Sequence, residues 1–291
     1  MPIFQIKDKK VQQISLNSGY FRSEQELHDF FEANLEALLG VRLLEHKYDT
    51  QGAGIPDTLA LDETNTPVII EYKLGQDPAV LVQALSYFSW LKKNSKHFEL
   101  LVFNKVNKSI KVNWNNPRII LIAQGFDSRT LLAVKEVGNI ELITYVPYTR
   151  DILYLETVYS SNAGKPTRSQ MVKRQDEEIH DLNYHIGKST AEIKQIFYAL
   201  QEKIKLLPGV NEVIDQKTGI TYRTTKSFTR LAFGRGVIDI LLKEPKYNDP
   251  REFVRDITHL EFGYKGRAKI KLIKDAEYVF GLIKQSYEHT L

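Results

Sequence analysis

The sequence predicts a layered α/β domain, a mixed sheet flanked by helices, followed by a second, smaller α+β domain. Three observations predict it. At 291 residues the chain is long for one compact core, so length alone favours two domains. Between Ser23 and Leu155 helical and strand-like apolar patterns follow one another in the order that builds a sheet covered by helices. From Ser160 to Ser189 the long apolar runs stop, and a Gly-Lys-Pro and the mixed-charge run Lys173 to Glu178 read as a linker. The expected units are residues 1–160, a linker over 161–189, and residues 190–291.

Residues 4–20 read as a short strand or two around a polar turn. Ser23-Glu24-Gln25-Glu26 is a capping box opening a helix, with Leu27, Phe30, Phe31, Leu35 and Leu38 on one stripe and Gly40 at its close. Val41 to Tyr48 and Thr58 to Leu61 are strand-like, and Asp62 to Pro67 is a turn. Val68 to Tyr72 is mostly apolar without alternation, as in a central strand buried on both faces. Asp77-Pro78 starts a helix carrying Val80, Ala84, Tyr87, Phe88 and Leu91 at helical spacing. A buried strand at Ile119 to Ala123, a helix over Ser128 to Val137, and strands at Ile140 to Val146 and Ile152 to Leu155 complete the first unit.

The second unit starts near Thr190 with a helix whose stripe is Ile193, Ile196, Phe197, Leu200, Ile204 and Leu207, stopped by Pro208-Gly209. Strands are expected at Val210 to Ile214, Ile220 to Thr224, Val237 to Leu242, Thr258 to Phe262 and Ile270 to Ile273. A closing helix carries Ala276, Val279, Phe280, Ile283 and Tyr287. No residue pattern in this unit marks a reaction.

Composition narrows the function. The chain has no cysteine, which excludes disulfides, thiolate metal sites and a thiol nucleophile and fits a reducing cytoplasm. No signal-like apolar segment opens it and no apolar run is long enough to span a membrane, so a cytoplasmic protein is expected. The net charge of +4 is too slight to name a polyanionic partner. Its excess lies in the C-terminal third, with 18 Lys and Arg against 13 Asp and Glu from residue 190 onward. Lys265, Arg267, Lys269 and Lys271 would line one strand face and could track phosphates. With no aromatic stacking pattern beside them, a solvated sheet face is the preferred reading. The seven histidines show no metal-binding spacing, and neither Gly234-Arg235-Gly236 nor Gly263-Tyr264-Lys265-Gly266 has phosphate-loop spacing.

One constellation carries chemistry. Pro56-Asp57 opens a strand, and fourteen residues after Asp57 a second strand delivers Glu71-Tyr72-Lys73. Side chains alternate along a strand, so Glu71 and Lys73 share a face while Ile70 and Tyr72 take the other. Two carboxylates and an ammonium then converge: oxygen ligands suit Mg²⁺ or Mn²⁺, and a lysine can steer or deprotonate a water for phosphodiester hydrolysis. The alternative is Asp57 in a turn and Glu71 and Lys73 as an outward ion pair, but an outward pair predicts alternation that Val68-Ile69-Ile70 lacks.

With Gly54-Ile55-Pro56-Asp57, Glu71-Tyr72-Lys73 and Gln83-Ala84-Leu85-Ser86-Tyr87 in place, residues 23–91 resemble the PD-(D/E)xK restriction-endonuclease-like superfamily. Within it they are similar to the RecB-like nuclease domain of archaeal and actinobacterial mismatch or branched-DNA endonucleases. The resemblance implies a restriction-endonuclease-like sheet and a DNA endonuclease or exonuclease, in repair or defence. It makes Asp57 and Glu71 ligands of Mg²⁺ or Mn²⁺, Lys73 the residue at the water, and Gln83 an accessory group near the lysine or the DNA backbone. A plain surface glutamine reads Gln83 equally well. Such sites also draw a glutamate from the first helix; on a helical wheel Glu24 falls within the apolar stripe while Glu26, Glu32 and Glu36 turn to solvent, so Glu24 is the candidate. The chain departs from the pattern at Ile55, where Gly-Arg-Ile-Asp is usual, and at Leu74, where a basic residue often stands, so DNA contacts are expected to differ. Residues 249–288 resemble a small bacterial and archaeal domain of unknown function often attached to such nucleases, so the second unit could bind nucleic acid or protein. A homodimer stays open, as does a non-catalytic binding module keeping a nuclease-like fold.

Overall fold

The computed structural model describes residues 3–17, 19–106, 110–114, 116–149, 151–161, 182–215, 219–259 and 263–291. A hairpin of β1 (Ile3–Lys7) and β2 (Lys10–Ile14) opens the chain. Ser23 caps α1 (Glu24–Ala33), its hydroxyl accepting from the Glu26 amide at 3.2 Å. The helix expected to run through Leu38 breaks at Asn34, whose side-chain amide donates to the Phe30 carbonyl at 2.7 Å, and resumes as α2 (Leu35–Leu39).

The first sheet has the order β3 (Val41–His46), β4 (Thr58–Asp62), β5 (Pro67–Lys73), β6 (Arg118–Ala123), β7 (Ile140–Tyr148), β8 (Ile152–Ser160). Pairs β3–β4, β4–β5 and β7–β8 are antiparallel, whereas β5–β6 and β6–β7 are parallel, so the sheet is mixed, as expected. The parallel pairs require crossovers, supplied by α3 (Val80–Lys93) with α4 (Ser95–Lys105), and by α5 (Ser128–Ala133) with a 3₁₀ turn. On one face Val68, Ile70 and Tyr72 pack with Leu27 and Phe31 of α1; on the other Ile69 and Leu121 pack with Ala84, Phe88 and Leu91 of α3. β5 is central and buried along all but its last residue, as its lack of alternation predicts.

The second unit comprises α6 (Leu182–Gly187), α7 (Ala191–Lys205), a six-stranded antiparallel sheet and α8 (Ala276–Glu288). The sheet runs β13 (Arg255–Asp256), β14 (Gly266–Ile270), β12 (Val237–Leu242), β11 (Ser227–Gly234), β10 (Gly219–Arg223), β9 (Asn211–Asp215). One face packs on α7 and α8 through Ile193, Phe197, Val279 and Ile283. Most of the expected linker, residues 162–181, lies outside the described residues; its end forms α6, whose Ile186 is buried in this second core. Three expectations are corrected. β11 was not foreseen; Thr258 and His259 are in a turn, not a strand, with 260–262 outside the described residues; and the strand expected at 270–273 ends at Ile270.

The two sheets meet at the β4–β5 turn. Asp62 and Glu141 hold Arg118, each at 3.0 Å, and Arg223 of β10 joins Glu141. Glu63 pairs with Lys243 and Ser227 of the second unit, and Lys226 donates to the Ala37 carbonyl at 3.0 Å. Glu63 seats against Gly263, where φ of +82° and a Cβ that would come within 2.3 Å of its Cγ leave room for glycine alone. The described residues of the second unit thus contact one end of β4 and β5 and not the opposite end. No helix among the described residues is long and apolar enough to cross a membrane.

Candidate active site

At that opposite end, antiparallel register sets Thr58 opposite Ile70 and so brings Asp57, just before β4, beside Glu71, near the end of β5. The contact is reciprocal. The Asp57 amide donates to Glu71 Oε1 at 3.0 Å, and the Tyr72 amide donates to Asp57 Oδ2 at 3.1 Å. The two carboxyl groups also interact directly with each other, side chain to side chain. Glu71 is only 2% exposed, and burial, followed by the charge of Asp57, pushes its carboxyl up to about 8.

Lys73 completes the group. Its Nζ lies 3.3 Å from Glu24 Oε1 and 4.0 Å from Asp77 Oδ2. Burial opposes its charge, but Glu24, Asp57 and Glu71 outweigh it and raise Lys73 above the ordinary lysine range, so it is an ammonium. Glu24 stands in the first turn of α1, its other oxygen accepting from the Leu74 amide at 3.3 Å. Asp57, Glu71, Lys73 and Glu24 are therefore gathered at one end of the sheet. Gln83 sits on α3 with an exposed side chain that hydrogen-bonds to none of the described residues. Tyr87, one turn on, is 8% exposed. Its hydroxyl is raised by burial and then by the charges of Glu71 and Asp57, and its ring closes over Gly54, where φ is +102° and a Cβ would come within 2.7 Å of Cε1.

Two polar residues of α1 escaped the sequence reading. Glu32, expected in solvent, instead accepts from Thr58 Oγ1 and pairs with His46 at 2.7 Å. His28, hidden in the apolar stripe, is 3% exposed, with Nε2 3.4 Å from Asp57 Oδ2 and its ring against Tyr72 at 4.9 Å. Burial lowers the His28 pKa, against the pull of Asp57 and Glu24. The i, i+4, i+8 spacing of Glu24, His28 and Glu32 puts all three on one helix face, a signal that was present and masked by Leu27 and Phe31.

Among the described residues no three His, Asp or Glu side chains surround a common point. The donor set is a carboxylate pair, which fits a hard cation that keeps several waters, the habit of Mg²⁺. The outer end of the pair also fits: two close acids, one of them buried and forced upward in pKa, lose their repulsion when a cation lies between them.

No family model matches the chain. An uncharacterized protein of Haemophilus influenzae is 23% identical over 297 residues, 96% of this chain and 97% of that protein. Endonuclease NucS 2 of Halobacterium salinarum is 39% identical over 72 residues, which is 24% of this chain and 26% of that enzyme. Among solved structures, a repair endonuclease from Pyrococcus abyssi is 19% identical with a TM-score of 0.32, covering 41% of this chain and 45% of that one. The EndoMS–dsDNA2 complex is 20% identical with a TM-score of 0.34, covering 48% and 49%.

Proposed function

We propose that this protein is a divalent-cation-dependent nuclease that hydrolyses phosphodiester bonds in DNA, with its active site in residues 1–160. The observation that supports this best is the meeting of Asp57, Glu71 and Lys73 at the end of β4 and β5 away from the junction with the second unit. The stretch shared with Endonuclease NucS 2 agrees with it. Asp57 and Glu71 would hold Mg²⁺ or Mn²⁺, which supplies a Lewis acid that acidifies water and offsets charge on the phosphoryl oxygens. The backbone amides of Tyr72 and Asp57 fix the two carboxylates, so little reorganisation is needed for that role.

Because Lys73 is an ammonium held by Glu24, its part is to bind a non-bridging phosphate oxygen and stabilise developing negative charge rather than to remove a proton. Gln83, exposed on α3, would contact the DNA backbone. Cleavage of duplex and single-stranded DNA with Mg²⁺ or Mn²⁺ tests the proposal: Asp57→Ala and Lys73→Ala should each lower the rate on the order of a hundredfold or more. Undiminished cleavage in both variants would reject the assignment. No cleavage by the wild type on either substrate would favour a non-catalytic binding module.

A further inference from the structure

His28 is the one polar side chain of the α1 seam whose local contacts do not explain its presence. Glu24 is held by Lys73 and the Leu74 amide, and Glu32 by Thr58 and His46. His28 is more enclosed than either, yet neither ring nitrogen makes a hydrogen bond with the described residues. An apolar ring would pack against Tyr72 without leaving buried polar atoms unmatched, so stability alone disfavours an imidazole here. What the imidazole faces is a single atom, Asp57 Oδ2, 3.4 Å from Nε2 and already bonded to the Tyr72 amide at 3.1 Å. A closer approach of about half an ångström would bring that nitrogen to ordinary hydrogen-bond length.

We infer that His28 is a positioning residue, whose Nε2–H and the Tyr72 amide together grip Asp57 Oδ2 and turn Oδ1 toward Glu71 and the cation. A ligating carboxylate with one oxygen fixed by two donors presents the other in one direction, and loss of such a supporting group weakens metal affinity. The inference rests on Asp57 and Glu71 being cation ligands.

The test is Mn²⁺ titration calorimetry of the full chain, with thermal melting beside it. His28→Phe keeps the ring packing on Tyr72 but removes the donor, and should weaken Mn²⁺ binding about 10- to 100-fold without lowering the melting temperature. His28→Gln, whose amide nitrogen reaches about where Nε2 lies, should keep most of the wild-type affinity. If His28→Phe does not fold, His28→Leu serves the same comparison. Wild-type affinity in the donor-free variant, or an equal loss in His28→Gln, overturns the positioning role. If in the same series Asp57→Asn still abolishes binding, the cation site stands and only the role of His28 falls. A wild type that binds no Mn²⁺ overturns both.

Discussion

Asp57 and Glu71 each have one oxygen fixed by a backbone amide from the other's strand, and that reciprocity sets the electrostatics of the site. Burial and then the nearby charge of Asp57 push the Glu71 carboxyl up to about 8, against the Asp57 amide that favours its ionised form. With Glu71 raised in this way, a cation held by the pair would bind the ionised form, and its binding near pH 7 would release about one proton. Mn²⁺ affinity should rise from pH 6 to about 8 and level off above it. Calorimetric enthalpies at pH 7 should differ between buffers of different ionisation heat; identical enthalpies would mean that Glu71 is already ionised. The motif itself was legible, because Pro-Asp and Glu-x-Lys bracket strands that the apolar pattern already marks. The pKa was not, since it depends on a register that juxtaposes residues fourteen apart.

At the scale of elements, α1 does more than cover the sheet. Its polar face, Glu24, His28 and Glu32, runs along the ends of β4 and β5, fixing the helix at the angle that puts Glu24 over Lys73. Thr58→Val, a near-isosteric change at a fully buried position, removes the donor to Glu32 and should cost about 2 kcal/mol, read as a shift in the urea midpoint. An unshifted midpoint would show that Glu32 is held by His46 alone. The helical wheel sent Glu32 to solvent because it ranks positions by direction only. A long side chain at the flank of the stripe can still bend to a partner on the strand beneath. The elements missed from sequence have plain physical causes too. α4, Ser95–Lys105, has its apolar residues at Phe98, Leu100, Leu101, Val102 and Phe103, a cluster with little helical periodicity. β11 begins right after the turn that follows β10 and carries Arg230 amid its apolar residues. Of the basic row, Arg267 and Lys269 lie on β14 and both pair with Asp239, whereas Lys265 and Lys271 fall outside that strand.

Over the whole molecule, the two sheets are joined by charges that look like ordinary surface residues in sequence. Glu63 finds Ser227 and Lys243, 164 and 180 positions away, and Glu141 finds Arg223, 82 away. No local pattern announces such pairs, so this interface was invisible until the fold was known. The residues are deeply buried: Glu63, Glu141, Arg118 and Arg223 are all 9% exposed or less, and burial raises the Glu63 pKa in spite of Lys243. A buried ion pair adds little net stability, but removing one partner strands the other. Glu63→Ala should therefore cost about 3–5 kcal/mol in chemical denaturation, and replacing Glu63 and Lys243 together by methionine should recover most of it. Additive losses would contradict a coupled pair. This junction occupies the β4–β5 turn, whereas Asp57 and Glu71 stand at the opposite end of the same strands. The most direct measurement is an anomalous difference map from crystals soaked in Mn²⁺. The prediction is a peak about 2.1 Å from oxygens of both Asp57 and Glu71. A map without a peak at that pair, from crystals that scatter well enough to show one, would contradict it.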